Sequence, residues 1–325
     1  MVMLRADPWA PEYGMGFDAP DDLPAPLTTQ PDVETADWSS PIVPAASEAE
    51  PVWFVDGVRR VELRLVADQD GRRAPGLFGT YAVGSVRCDG RATFGEHAVG
   101  RAVILAGGLV PERVEIATPS GALIFEPVTD PGDTPDRPLW KLQDLMRDAE
   151  AALAARLAGR DQGAVLVDGP LSLRDPTHAP VVGVVKRFAR HYLDDAHEGL
   201  LTRLAPGERT PLFGLGLPNQ PVNRLAWYTR LVPMRPHWHD HAGVVRCEVS
   251  ASVGPRDAAG LADRVAAMLP AFAGRPSDPR APQNLSPVGG LETWLRHRMG
   301  HAGILRRALT AWLLGEVRAA SGAPA

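Results

Sequence analysis

Cysteine is nearly absent from this chain, which has only Cys88 and Cys247 among its 325 residues. Two cysteines so far apart, with no CxxC pair, indicate neither a disulfide framework nor a cysteine zinc site. Few cysteines are typical of proteins in a reducing compartment, and we expect a cytoplasmic location. The hydrophobic content of 45% and the charged content of 22% are those of an ordinary globular protein.

Long hydrophobic runs are also missing. The longest nearly apolar run, residues 102–110, is far shorter than a bilayer span. The first residues contain Arg5 but no apolar segment behind it, so a secretory signal is not expected. The sequence therefore predicts a protein without a membrane partner.

Nucleotide-binding motifs are absent too. The chain has no P-loop, no GxGxxG between a strand and a helix, and no GxSxG. We therefore expect that this chain does not hydrolyse nucleotides itself. Any process that consumes energy would need a separate motor.

The net charge of −5 is unevenly distributed along the chain. Residues 1–50 carry −9, and the remaining 275 residues carry +4. The sign of the total charge therefore does not exclude a phosphate-bearing partner for the body of the protein. Lysine is rare among the basic residues, since only Lys141 and Lys186 are present.

Composition divides the chain into an arm and a body. Residues 1–50 are rich in Pro, Asp and Ala, with Trp9, Tyr13, Phe17 and Trp38 spread through them. This predicts an extended N-terminal arm that packs on the body or on a partner through its aromatics. Residues 51–320 predict one large α/β domain with a mixed sheet flanked by helices.

Periodicity predicts the elements of the body. Strands are expected at 52–56 and 61–66, with a bend at Asp56-Gly57 and a glycine-rich linker at 68–76. Further strands are predicted at 79–87, 163–168, 180–186, 211–217, 223–232 and 243–253. Residues 92–106 and 112–118 are predicted to be either strands or loops. Helices are predicted at 139–158, at 187–204, from Asp257 as the cap to 269, and at 288–318 with a break near 300–303.

Two apolar strands end in the same way, one at Asp56-Gly57 and the other at Asp168-Gly169. Two such strands suggest that both carboxylates meet at one end of one sheet. Carboxylate oxygens together with waters are the ligands that Mg²⁺ and Mn²⁺ prefer. The alternative is that each aspartate simply begins a turn.

Two further residues extend this acidic pair. Glu150 lies about 60° from the centre of the apolar stripe of its helix, so its carboxylate reaches either water or a site beside the sheet. Lys186 ends the strand that follows Asp168. Metal-dependent phosphodiester cleavage needs carboxylates that hold cations, and a lysine can orient a carboxylate or stabilise developing negative charge.

Histidines offer two other candidate sites. His237, His239 and His241 approach the HxHxDH pattern of metallo-β-lactamase-fold hydrolases, but the tract is one residue short between His239 and Asp240. A polar loop between two strands explains them better. His297 and His301 lie in a basic helical segment that either contacts phosphate or is a solvated helix face.

Motifs in a fixed order resemble those of the NurA nucleases, which are partners of the HerA-type hexameric ATPase in DNA end processing. The resemblance covers roughly residues 50–310. It rests on Val55-Asp56-Gly57, Met146-Arg147-Asp148-Ala149-Glu150, Leu166-Val167-Asp168-Gly169-Pro170-Leu171, Gly183-Val184-Val185-Lys186, and Gln283-Asn284-Leu285-Ser286-Pro287 with Leu291 and Arg296-His297.

The resemblance implies an RNase H-like core, a homodimer whose channel admits DNA, and dependence on Mn²⁺ or Mg²⁺. It implies internal cleavage of single strands and resection of duplex ends in the 5′ to 3′ direction. Asp56, Glu150 and Asp168 would be metal ligands, and His297 a phosphate or proton-transfer partner. The chain departs from the family at Ser286, where a tyrosine often precedes the proline, and this departure bears on His297 alone.

Three functions follow from these patterns. The first is a metal-dependent DNA nuclease that works with a HerA-like ATPase and uses Asp56, Glu150, Asp168, Lys186 and His297. The second is a non-catalytic adaptor that docks on a hexameric ATPase and lines a DNA channel, which the acidic, aromatic arm would suit. The third is a metallohydrolase with zinc at the histidine tract.

Overall fold

The computed structural model describes residues 2–6, 27–45, 50–118, 121–160, 163–171, 180–186, 192–275 and 282–321. These residues form a 12-stranded mixed sheet with helices packed on both faces. The predicted mixed α/β architecture is therefore confirmed. Among the described residues, no helix has the length and hydropathy needed to cross a bilayer.

The secondary structure has the following bounds. The strands are β1 Met3–Ala6, β2 Thr28–Gln30, β3 Val52–Gln69, β4 Arg72–Asp89, β5 Arg91–Leu105, β6 Val114–Thr118, β7 Gly121–Thr129, β8 Ala164–Asp168, β9 Val181–Val185, β10 Phe213–Gly216, β11 Arg224–Arg230 and β12 Val244–Ser250. The helices are α1 Arg137–Ala158, α2 Asp195–Arg203, α3 Pro255–Met268, α4 Ser286–Arg298 and α5 Ala302–Ser321.

A long antiparallel meander of β3, β4 and β5 makes the centre of the sheet. The predicted bend at Asp56-Gly57 was wrong, because β3 continues as one strand from Val52 to Gln69. The predicted linker at 68–76 was also wrong, because only residues 70 and 71 separate β3 from β4. The turn lies at Asp70-Gly71, where both φ angles are positive, at 53° and 80°. That backbone matches the twist of two-residue hairpins, so Asp-Gly turns the chain here and not at residue 56.

A parallel segment adjoins the meander. Helix α1 carries the chain across the sheet, so that β8 pairs in parallel with β3 and β9 pairs in parallel with β8. The full order is β2-β10-β11-β12-β9-β8-β3-β4-β5-β7-β6, with β1 also paired to β3. All five residues of β9 are buried, as expected of a strand covered on both faces.

Strand β3 has one edge that is only partly filled. One edge of β3 pairs with β4 along almost the whole strand. The opposite edge, which is the partly filled one, is shared by β8 and β1. On it, β8 pairs with residues 52–55 and β1 with residues 65–68. Within the described part of the chain, no strand pairs with this edge between residues 56 and 64.

The two faces of the sheet carry different helices. Helix α1 packs on the face that carries Val55, Val165 and Val167, and its predicted apolar stripe at 139–158 is confirmed. Helix α4 packs on the opposite face, against Phe54 and Leu166. Side chains that alternate with Phe54 along β3 therefore point toward α4.

The other predicted helices are confirmed with one correction. Helices α4 and α5 are separated near residue 300, as the sequence indicated. Of the predicted helix at 187–204, the structure shows α2, while residues 187–191 lie outside the described residues. Asp257 does not cap α3. Gly254 stands at that position, because Pro255 already occupies the first turn.

The described parts of the N-terminal arm lie on the body. Strand β1 pairs with β3, and β2 extends the sheet beyond β10. Trp38 is buried with its ring 4.8 Å from that of His197. The carboxylate of Glu34 receives two hydrogen bonds of 2.8 Å from the buried guanidinium of Arg209. Trp9, Tyr13 and Phe17 lie outside the described residues.

We predict that Gly183→Ala destabilises the protein by about 1–3 kcal/mol, the usual cost of overpacking. A Cβ at Gly183 would lie 2.7 Å from the main-chain nitrogen of Leu171 and 2.9 Å from the main-chain oxygen of Gly169. Backbone atoms cannot rotate away, so β8 and the turn after it must shift. Thermal unfolding measures the effect.

The control is Gly290→Ala on α4, where a Cβ meets no other atom within 4 Å. Alanine is the better helix former, so this variant should gain about 0.5–1 kcal/mol. Equal stability of the two variants would contradict the packing argument.

Candidate metal centre

The register of two parallel strands brings Asp56 and Asp168 side by side. The last pair between β3 and β8 is Val55 with Val167, and each aspartate is the next residue on its strand. Neighbouring strands are about 4.8 Å apart. Both aspartates alternate with residues that pack on α4, so both carboxylates lie on the α4 face of the sheet.

Glu292 of α4 supplies a third carboxylate. One oxygen each from Asp56, Asp168 and Glu292 lies within 4.8 Å of the others. Asp56 is 6% exposed and Glu292 is 8% exposed. We name these three residues the carboxylate cluster.

The sequence analysis missed Glu292, although a signal for it was present. Glu292 lies four positions after Val288 and three before Leu295, and the side chains of Val288 and Leu295 are both buried. Positions with those spacings share one face of a helix. A carboxylate inside an apolar stripe is the same signal that marked Glu150.

Glu150 approaches the cluster from the other face of the sheet. Gly57 has no side chain on the α1 face, and a Cβ there would lie 2.7 Å from Oε1 of Glu150. The main-chain N–H of Gly57, on the unpaired edge of β3, donates a hydrogen bond to the Glu150 carboxylate. Glu150 is not one of the three residues whose oxygens converge within 4.8 Å.

Burial and mutual repulsion shift the acidity of these carboxyls. Burial, followed by the negative charge of Asp168, raises the pKa of Glu150 to about 8. Burial, followed by the charges of Asp168 and Glu150, raises the pKa of Asp56 well above its ordinary value. Both shifts mean that the protein without a cation favours protonated carboxyls here.

Lys186 provides the positive charge nearest to the cluster. Its Nζ lies 2.8 Å from Oδ1 and 2.8 Å from Oδ2 of Asp168, and donates a 3.2 Å hydrogen bond to Oδ1 of Asn284. The side-chain amide of Gln283 donates to the main-chain oxygens of Lys186 and Val244. The Gln283-Asn284 pair therefore ties the end of β9 to the start of α4, the helix that carries Glu292.

The donor set fits a hard divalent cation. Carboxylate oxygens are the ligands that Mg²⁺ and Mn²⁺ prefer. Oδ2 of Asp56 is buried and has no hydrogen-bond partner within the described part of the protein. A buried carboxylate oxygen without a donor is unfavourable unless a cation meets it.

The structure does not place His297 in the carboxylate cluster. His297 is exposed in the last turn of α4, five residues after Glu292. Five residues rotate a helical position by about 140°, so the two side chains leave the helix on different sides. Ser286 begins α4, and its hydroxyl donates to the main-chain oxygen of Ala273 at 3.3 Å.

The histidine tract forms no comparable centre. His237 and His239 are exposed, and Nε2 of His241 lies 3.7 Å from a carboxylate oxygen of Glu198. Among the residues that the structure describes, the carboxylate cluster is the one group of three metal-binding side chains whose ligand atoms converge. The geometry gives no support to a zinc site at 237–241.

No protein-family model matches the chain, and no curated protein sequence matches it either. Functional inference therefore rests on the geometry of the site and on the motifs in the sequence.

We predict that Gly57→Ala weakens divalent cation binding even though alanine suits a strand better than glycine. The added Cβ would meet Oε1 of Glu150 at 2.7 Å and Cγ of Met146 at 2.8 Å. The Glu150 side chain has to move away from the main-chain N–H of Gly57. Calorimetric titration with Mn²⁺ should show a lower affinity.

The matched control is Gly199→Ala on α2, where a Cβ meets nothing within 4 Å. This variant should bind Mn²⁺ as the native protein does. Unchanged Mn²⁺ affinity in Gly57→Ala would show that Glu150 has no part in the site.

We predict that the cation-free protein becomes less stable as the pH rises from about 4.5 to about 8. The pKa of Glu150 is higher in the folded protein than in the unfolded chain, so the folded state binds more protons in this window. The stabilisation is fully present below the unfolded-state pKa of about 4.5, and it is lost as the pH rises to the folded-state pKa of about 8. Asp56 acts in the same direction.

Urea unfolding in the presence of EDTA, repeated across this pH range, measures how the free energy of unfolding changes with pH. Glu150→Gln should make this dependence shallower, because the amide does not ionise, whereas Glu115→Gln on the exposed face of β6 should leave it unchanged. A stability that rises with pH in native protein would refute the assignment.

Proposed function

We propose that the protein is a deoxyribonuclease that depends on Mn²⁺ or Mg²⁺. The observation that carries this proposal is the convergence of the Asp56, Asp168 and Glu292 oxygens within 4.8 Å of one another. Three buried or half-buried carboxylates at one point are costly for folding unless a cation binds there. An oxygen-only site of this kind suits the hydrolysis of phosphodiesters.

The order of the strands supports an RNase H-like core. Strands β5, β4 and β3 form an antiparallel meander, and β8 and β9 continue it in parallel after α1. An RNase H-like core has this succession of a three-stranded meander, a helix and parallel strands. The acidic residues on β3 and β8, with Glu150 on the intervening helix, agree with the motifs that resemble the NurA nucleases.

Each residue of the site has a role in this proposal. Asp56, Asp168 and Glu292 would hold the cation, and Glu150 would complete its surroundings from the α1 face. A bound cation would acidify a water molecule and neutralise charge on the phosphate. Lys186 fixes the orientation of the Asp168 carboxylate, and Asn284 in turn fixes the Lys186 ammonium.

The remaining features belong to the same proposal. The body of the chain carries +4, which suits DNA as the substrate. The absence of a nucleotide-hydrolysis motif suits a separate HerA-like hexameric ATPase as the motor. Cleavage of single strands, 5′ to 3′ resection, a homodimer and a cytoplasmic location follow from the resemblance and from the sparse cysteines.

The adaptor function is less well supported. A non-catalytic adaptor has no need for acidic side chains from β3, β8 and α4 at one point, and their repulsion would destabilise it. The N-terminal acidic arm, which suggested an adaptor, is in its described parts engaged by the body through β1, β2 and Glu34.

We predict that Asp168→Asn abolishes Mn²⁺-dependent degradation of linear DNA. Asp168 contributes an oxygen to the cluster and receives the Lys186 ammonium, so its loss removes a ligand and leaves Lys186 without its carboxylate. The decrease should exceed the roughly 10–100-fold that is typical of a residue outside the ligand shell. A gel assay with purified protein, with and without the partner ATPase, measures it.

The control is Asp133→Asn, an exposed aspartate in the loop before α1. It should degrade DNA at the native rate. Degradation that survives Asp168→Asn, or that proceeds equally in EDTA, would rule out the proposed nuclease.

A further inference from the structure

A β-bulge places two side chains of β5 on the face that carries α4. Gly84 pairs with His97 and Val86 pairs with Phe94, so Gly95 and Glu96 together oppose one residue of β4. Without the extra residue, positions 94 and 97 would point to opposite faces. Bulges commonly re-aim a side chain beside a functional site.

Phe94 is held in a stack although it is exposed. Its ring is parallel to that of Trp294 of α4, with centroids 4.7 Å apart and an interplanar angle of 8°. The guanidinium of Arg298 lies 4.8 Å from the centroid of the Trp294 ring, and the His97 ring contacts Trp294 edge-on at 4.7 Å. Phe94, His97 and Arg298 therefore all contact the Trp294 ring.

One face of the Phe94 ring therefore remains open to solvent. Phe94 is 44% exposed, and the Trp294 ring stacked against it restricts its rotation. A large, ordered aromatic surface of this kind loses little conformational entropy when another flat ring stacks on it. We name Phe94, Trp294 and Arg298 the aromatic stack.

The aromatic stack and the carboxylate cluster are neighbours on the same face of the sheet. Asp56 of β3 pairs with Gly84 of β4, which pairs with His97 of β5. Two strand spacings separate the ends of this row, which is about 10 Å. Helix α4 carries both Glu292 and Trp294, so one rigid element positions both groups.

The charge around the aromatic stack suits a polyanion. Glu96, the acidic residue in the bulge, is directed to the α1 face, where it pairs with Arg156 at 3.6 Å and Arg160 at 2.7 Å. Its charge therefore does not face the aromatic stack, and on the α4 face Arg298 supplies an exposed guanidinium. Proteins that bind single strands combine aromatic rings, on which bases stack, with cations that meet the phosphates.

We propose that the aromatic stack is a binding surface for an unpaired base of a single DNA strand, next to the carboxylate cluster. The proposal rests on the deoxyribonuclease function and adds to it where the substrate strand lies. A paired base has both of its faces covered by its neighbours, so the surface selects frayed or single-stranded ends. Phe94 contacts the base, Trp294 supports Phe94, and Arg298 fixes Trp294.

The test measures DNA binding without cleavage. Anisotropy of a fluorescein-labelled oligothymidylate is recorded with the full-length protein in EDTA. Phe94→Ala should raise the Kd by about 5- to 100-fold, the usual effect of removing one stacked aromatic. Phe94→Trp should retain native affinity, because a larger ring also stacks.

The matched control is Trp140→Ala on α1, which removes another aromatic of similar exposure, at 42%. It should bind the oligonucleotide as the native protein does. Native affinity in Phe94→Ala overturns the proposal. A variant that binds DNA normally but sediments as a smaller species also overturns it, and shows that Phe94 contacts a second copy of the chain.

The binding assay and the cleavage assay can fail separately. If Phe94→Ala loses affinity and the native protein shows no Mn²⁺-dependent cleavage, the binding surface is supported and the proposed nuclease function is contradicted. If cleavage depends on Asp168 and Phe94→Ala binds DNA with native affinity, the binding surface is contradicted and the nuclease function is supported.

Discussion

The point at which β3 stops pairing with β8 determines the rest of the site. Pairing ends at Val55 and Val167, so the next residues, Asp56 and Asp168, leave the ladder together and on the same face. Beyond them, no strand among the described segments pairs with this edge of β3 until β1 does so from residue 65. The main-chain N–H of Gly57 lies within this gap and donates a hydrogen bond to the Glu150 carboxylate of α1. Acidic groups from both faces of the sheet can therefore approach one another here.

This arrangement opposes folding unless positive charge is supplied. Asp56 and Glu292 are buried, and among the described residues Oδ2 of Asp56 has no hydrogen-bond donor. Lys186 pairs with Asp168, and the guanidinium of Arg296 lies 3.3 Å from Glu292. Buried groups of like charge destabilise a fold, and such strain is usually retained where function requires it. The surrounding core is ordinary by comparison, since β8 and β9 are covered by apolar residues of α1 on one face and of α3 and α4 on the other.

Local patterns predicted the elements well, and longer-range geometry less well. The apolar stripe of α1 and the buried strand at 181–185 were visible in the sequence, because burial on one face leaves a period. The Asp-Gly pair at 56–57 was misinterpreted as a bend, since the same dipeptide makes the true turn at 70–71, and only pairing with β4 distinguishes them. Glu292 was overlooked in favour of His297. The spacing of Glu292 from Val288 and Leu295 places it on the buried face of α4. Its distance from Asp56 and Asp168 depends on where α4 docks on the sheet, and no local pattern reports that.

The cluster draws its residues from positions 56, 168 and 292, so its contacts are of very high sequence separation. The meander that holds Asp56 needs only neighbouring segments, and local pairing of that kind forms early. Parallel pairing with β8 requires the chain to close a loop of more than a hundred residues, and Glu292 arrives only with α4, near the end of the chain. A growing polypeptide therefore has two carboxylates of the cluster at most until α4 has docked. The carboxylate cluster therefore belongs to the completed fold, since its three residues meet only when β3, β8 and α4 are all in place.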